Sequence, residues 1–345
     1  MNFSKIKTVV AFFLLVSIFS CTKDEINLNN LNETIYLRHR QADMPAYVHG
    51  NASDKVFLIY LHGGPSGQGL EARINTMITE VEKNNAVVYF DQRGSGNAQG
   101  KYSEEDVSID VMAEDVLALV KVLRARYGED AKFFLMGASW GGTLGPATLL
   151  KEQEAFLGWI DVAGAHSPKD LYTEYPVVLA ENANEQIAVG NSIAHWEGVL
   201  ELLENVGSSY SDEDFSKLNI KAHESEVILA RDGVVNESQS LGEDGEPRSF
   251  AVRNNLQTLF ILTEKKGLFR DVSFTDRLPE ITIPSLILWG EHDLVVPTKF
   301  AHEAYDQLGS THKELVLFER TGHSPLESEP ELFAEKVIAF INEYR

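Results

Sequence analysis

The sequence holds a single cysteine, Cys21, among 345 residues, so no internal disulfide can form. Cations are scarce too: 30 Lys and Arg stand against 52 Asp and Glu, a formal charge of −22. A surface so acidic repels phosphate backbones and anionic headgroups alike, which removes nucleic acid from the expected partners. No Cys/His cluster has zinc-ligand spacing, no phosphate-cradling glycine loop follows a strand, and no segment repeats at a period of roughly 20–50 residues. Neither a metal nor any other cofactor is therefore expected. The apolar run from Val9 to Phe19 falls short of the roughly 20 residues that a helix needs to cross a bilayer. What the chain does have is 43% apolar content, enough to bury a large core.

Lys5 and Lys7 precede that apolar run, and Ser20 and Cys21 follow it, so residues 1–20 read as a secretion signal. "IFSC" resembles the cleavage box of bacterial lipoproteins, in which the cysteine becomes the new N-terminus and carries the lipid. Residues 21–33 continue as a polar, Asn-rich stretch suited to a flexible tether. Asp24 and Glu25 are similar to the surface-export signals of some Gram-negative lipoproteins. The expectation is an exported protein, lipid-anchored to the bacterial envelope through Cys21 and touching the membrane only there.

From residue 56 the pattern changes to short continuous apolar runs separated by longer amphipathic stretches, as in a parallel sheet covered on both faces. Residues 56–61, 86–90, 132–136, 158–164, 285–290 and 314–319 are the predicted strands, and "TIYLRHR" and "PAYVHG" form an antiparallel pair ahead of them. A helix is predicted over 106–127, where Val111, Met112, Val116, Leu119, Val120 and Leu123 recur three and four apart. Another is predicted over 330–344, opened by Pro330. The strand alternation breaks between 165 and 276, a stretch of helices and acidic loops such as "SSYSDEDF" and "GEDGEP". Two core parts, 34–164 and 277–345, thus enclose an insertion at 165–276. Hung between successive parallel strands, it would lie beyond their carboxyl ends, where ligands bind.

Gly137, Ser139 and Gly141 make G-x-S-x-G between a strand and a helix, a corner that forces the serine hydroxyl outward over the sheet. A serine hydroxyl is a weak nucleophile at neutral pH and needs a base, with an acid to orient that base. The loop "EHDLVVP" after one strand offers Asp293, with Glu291 as its neighbour, and "RTGHSP" after the next offers His323. An oxyanion needs fixed N–H donors, predicted at Trp140 and in the "HGGP" loop at Gly64 rather than Gly63. His62 is expected to tie that loop down.

"LHGGP", "YFDQRGSG" and "GASWGG", in order and in register, resemble the proline iminopeptidase family of α/β hydrolases. The resemblance covers about residues 34–164 and 277 to the end. It implies an α/β-hydrolase fold: a mostly parallel eight-stranded sheet with an inserted, mainly helical cap. It also implies Ser139 as nucleophile with Asp293 and His323 as partners, Trp140 and the "HGG" loop at the oxyanion hole, and Asp91 and Arg93 as braces. The activity implied is release of an N-terminal residue from short peptides, with small esters as the alternative substrates and a ligand-binding protein on the same fold as the rival. Family members place acidic cap residues for the substrate's ammonium group, a role that falls here to Glu197, beside Trp196, and to Glu224. The family's usual pattern differs at Asn97, Ala98 and Pro146.

Overall fold

The computed structural model describes residues 26–74, 78–237 and 257–345. The signal at 1–20, Cys21 and the "GEDGEP" loop lie outside the described residues.

The chain forms β1 (Leu31–His39), β2 (Ala42–Gly50), β3 (Val56–Leu61), β4 (Ala86–Phe90), β5 (Gln99–Gly100), β6 (Lys132–Ala138), β7 (Gly158–Val162), β8 (Ser285–Gly290) and β9 (Lys313–Phe318). Eight of these run side by side in the order β1-β2-β4-β3-β6-β7-β8-β9, with the two-residue β5 pairing β2 off that path. The β1–β2 and β2–β4 pairs are antiparallel, and every pair from β4–β3 to β8–β9 is parallel. Every residue of β3, β4, β7 and β8 is buried. Successive side chains of β3 alternate between two cores: Phe57, Ile59 and Leu61 join one face, Val56, Leu58 and Tyr60 the other. That double burial explains the continuous apolar runs.

Helices cover both faces. Within the core these are α1 (Ile109–Tyr127) and α2 (Gly141–Glu152); α3 (Leu171–Val189), α4 (Ile193–Asn205) and α5 (Asp212–Arg231) follow β7; α6 (Lys299–Gln307) and α7 (Pro330–Tyr344) follow β8 and β9. α1 begins three residues later than the predicted 106, because the Ser108 hydroxyl accepts the Val111 N–H and caps the helix there.

Two expectations are corrected. β1 starts at Leu31, inside the stretch read as tether: Leu31 is buried and the Ala52 N–H donates to the Leu28 carbonyl at 2.6 Å, so the end of that stretch is already packed. Only the first half of "SSYSDEDF" is loop: α5 begins at Asp212, with Ser211 as cap and Asp212, Glu213 and Asp214 in the first turn. Acidic side chains are favoured there by the unpaired N–H groups and the dipole of the helix.

Candidate active site

At the end of β6 the chain turns sharply into α2, and Ser139 occupies the turn with φ of +53°, a left-handed conformation that a non-glycine residue adopts only under constraint. The constraint is visible in the backbone. The Ser139 N–H donates to the Val162 carbonyl at 3.0 Å, and its carbonyl accepts the Gly142 and Ala165 N–H groups at 2.8 and 2.9 Å. A Cβ on Gly137 would sit 2.3 Å from the Gly141 carbonyl oxygen, and one on Gly141 would sit 2.3 Å from that of Leu61. Only glycines leave room for the crossing, and the serine side chain is thereby turned into the cavity above the sheet.

Asp293 follows β8 and His323 follows β9, strands paired in register up to Gly290 and Phe318. The His323 Nδ1–H donates to Asp293 Oδ2 at 2.9 Å, so Nε2 is the ring nitrogen that Asp293 does not engage. The other oxygen of Asp293 accepts the N–H groups of Val295 and Val296 at 2.9 and 2.8 Å, so the buried carboxylate is fixed from both sides. Glu291, its alternative, is exposed. Burial by itself would lower the pKa of His323, but the Asp293 charge, the hydrogen bond to it and the Glu226 charge outweigh that and raise it above the ordinary histidine value.

The loop after β3 lies against the elbow. A Cβ on Gly63 would lie 3.9 Å from Ser139 Oγ, and Gly64 lines the cavity with Ser139 and Trp140. His62 Nδ1–H donates to the Gly63 carbonyl at 2.7 Å, and Nε2 accepts the Gln92 N–H at 3.4 Å. A ring that donates at one nitrogen and accepts at the other is neutral, in keeping with a pKa lowered by burial. Gln92 closes the chain: its Nε2 donates to the His62 carbonyl at 3.2 Å and its Oε1 accepts the Trp140 indole N–H at 2.8 Å. His62 thus ties the loop down. Asp91 accepts the Gly69 and Asn97 N–H groups at 2.7 and 2.8 Å. Arg93 is fully buried in a two-pronged pair with Asp115, at 2.9 and 2.7 Å, so both residues brace loops as the resemblance implied.

Over this edge α3, α5 and the residues around 260 and 268 roof a cavity of about 550 Å³. Its walls are mostly apolar, including Leu171, Tyr175, Phe215, Phe260, Leu268 and Val296, with Asp212 and Glu264 as its carboxylates. Arg270 Nη1 stands 3.9 Å from Asp212, and the Tyr210 hydroxyl donates to Asp212 at 2.8 Å.

The two cap residues chosen from sequence do not reach the cavity. Glu197 is exposed, because α4 buries Trp196 and Val199 and the intervening turn faces out. Ile193, at the start of the same helix, is 43% exposed. Glu224 is exposed and pairs with Lys221 at 2.6 Å. The acid of "KAHESEV" that meets the site is Glu226, which accepts the N–H groups of Leu294 and His323 at 2.9 and 2.8 Å. Burial, and then the Asp293 charge, push its pKa well above the usual carboxylate range. His223, on the same helix, opens onto the cavity with its ring 6.3 Å from that of His323, and enclosure under the cap holds its pKa down at about 4. The helical period carried a signal for Glu226: it lies four residues after buried Ala222 and three before buried Leu229.

The model of the alpha/beta hydrolase family matches residues 58–336. A protein described as the probable aminopeptidase YbaC of Bacillus subtilis is 27% identical over 288 residues, 80% of this chain and 86% of that protein. Among solved structures, the proline iminopeptidase of Mycobacterium smegmatis superposes with a TM-score of 0.57 at 18% identity, over 90% of this chain and 98% of its own. The esterase EaEST of Exiguobacterium antarcticum does so with a TM-score of 0.54 at 18% identity, over 90% and 100%. Both superpositions reflect a shared fold.

Proposed function

The chain belongs to the alpha/beta hydrolase family, and from that premise we propose that it is a serine hydrolase working through an acyl-enzyme, with Ser139, His323 and Asp293 as its triad. The observation that carries this reading is the fixed Asp293–His323 pair, at 2.9 Å, standing at the same carboxyl ends of the sheet as a backbone-constrained serine. As Ser139 Oγ attacks the acyl carbonyl, its proton passes to His323 Nε2, while Asp293 holds the other ring nitrogen and stabilises the imidazolium. The oxyanion is met by the Trp140 N–H and by the loop at Gly64. Collapse breaks the bond to the leaving group, which takes the proton from His323. Water, deprotonated by the same imidazole, then releases the acid and restores Ser139.

The preferred substrate is a short peptide with a free N-terminus. A desolvated ammonium group costs several kcal/mol unless a carboxylate meets it. Asp212 and Glu264, the carboxylates on the cavity wall, take the role first given to Glu197 and Glu224. The largely apolar wall favours a second reading, hydrolysis of small esters. Rates on proline and alanine anilides against short-chain esters, with and without Glu264→Gln, separate the two. Esters cleaved with anilides untouched would remove the peptidase. A fluorophosphonate probe should label Ser139, and no labelling would favour the ligand-binding protein instead.

The anchor reading extends the proposal to the envelope: Cys21 carries lipid after residues 1–20 are removed, and the substrate is met outside the cytoplasm. Replacing Cys21 with Ser should release the protein from the membrane fraction. Retention there would refute the anchor.

A further inference from the structure

Glu226 belongs to the cap, yet its carboxylate hydrogen-bonds to the loops that carry Asp293 and His323. Its two carboxylate oxygens are divided between them: Oε1 accepts the N–H of Leu294, the residue after the acid, and Oε2 accepts the N–H of His323, the base itself. The fit is close, since a Cβ on Gly322 would stand 2.4 Å from Oε2. The charged and titratable groups facing it are Asp293 and His323 from the two loops and Tyr175 from α3, with His223 three residues earlier on α5. Asp293 is of like charge, and its nearness is a cost to an ionised Glu226. A glutamine would not repeat the arrangement. Its amide has one acceptor oxygen, and the NH2 would confront the second backbone N–H donor to donor.

Resting on the triad reading above, we propose that Glu226 is a positioning residue, the strap by which cap helix α5 holds the Asp293 and His323 loops at their working separation. Its ionised form is the working form, because only a carboxylate accepts from both loops at once. The strap makes the cap part of the catalytic geometry: if α5 lifts to admit substrate, it pulls on the acid and the base together, and reseating restores both. With a pKa raised by burial and by Asp293, Glu226 takes up a proton at a higher pH than an ordinary glutamate as the solution is acidified. That protonation frees one backbone N–H and removes a negative charge that supports the His323 imidazolium. Acidification therefore disables the site in two places, at His323 and at Glu226.

The test uses the full chain and Glu226→Gln. In the wild type, the rate of fluorophosphonate labelling should fall on the acid side with a limb steeper than one ionisation. In Glu226→Gln, labelling and kcat should drop by about 10- to 100-fold with KM changed less than threefold, and the limb should flatten to a single ionisation. A second readout needs no turnover: an NMR titration of the histidine rings should place the His323 pKa lower in Glu226→Gln than in the wild type. If the variant does not fold, the wild-type limb decides alone, and one ionisation there overturns the proposal. Equal labelling rates and equal His323 titration in the two proteins overturn it as well. A wild type that is never labelled sinks the hydrolase reading instead, and an unchanged His323 titration would still be needed to sink the strap.

Discussion

Asp161 gives a direct test of how this sheet treats a buried charge. It is the fourth of the five residues of β7, paired in register with Gly137 of β6 and Ile287 of β8, and is 2% exposed. Its Oδ1 has no hydrogen-bond partner among the described residues. Burial pushes its pKa from 3.8 up to about 8. The folded protein therefore holds a proton on Asp161 across a window in which the unfolded chain has lost it. The contribution of Asp161 to stability must fall as pH rises through that window, by about 1.4 kcal/mol for each pH unit, and level off once both states are ionised. Over the roughly four pH units from 3.8 to about 8 the accumulated cost approaches 6 kcal/mol, a large share of the 5–15 kcal/mol stability of an ordinary domain. An asparagine in its place would match the shape of the protonated acid and cannot ionise. Urea unfolding of the wild type and Asp161→Asn between pH 5 and pH 9 should show the variant gaining on the wild type by about 1.4 kcal/mol per pH unit up to about pH 8. Activity should survive, since the Ser139 N–H is held by the Val162 carbonyl rather than by this side chain. Parallel stability curves for the two proteins would refute the reasoning.

Asp293→Asn should leave the fold intact and lower kcat by about 10³- to 10⁴-fold, measured on whichever substrate class the wild type cleaves, because the amide cannot stabilise the imidazolium. Since His323 must be neutral to accept a proton and its pKa is raised, kcat/KM should fall as pH drops through a value above 6.5, and a limb at or below 6.5 would contradict the assigned pair. Gln92→Ala cuts the link between the Trp140 indole and the His62 loop. It should lower kcat by roughly 10-fold with little change in KM, and an unchanged kcat would show that the loop holds its shape without it.

The strands could be read from sequence because burial on both faces leaves a mark that little else leaves: "VFLIYL", "AVVYF" and "SLILWG" are continuous apolar runs, and each is a strand with those same bounds. The positions of Ser139, Asp293 and His323 at the strand ends were legible for a related reason. Each follows a strand by a few residues, and parallel register carries strand ends to one side of the sheet whatever the loops between them do. The cap obeys a looser rule. An amphipathic helix fixes which of its faces is buried, but not what it is buried against. On α4 packing buries Trp196 and Val199 and leaves Glu197, next to Trp196, outside. On α5 what distinguishes Glu226 from Glu224 is two backbone N–H groups that lie 68 and 97 residues further along the chain. Local pattern places a side chain on a face; only tertiary contact shows that Glu226 spends both oxygens on the loops that carry Asp293 and His323. The same helix lines the cavity with Asp212 and holds the Asp293 and His323 loops through Glu226, so a movement of α5 would shift the cavity wall and those loops together.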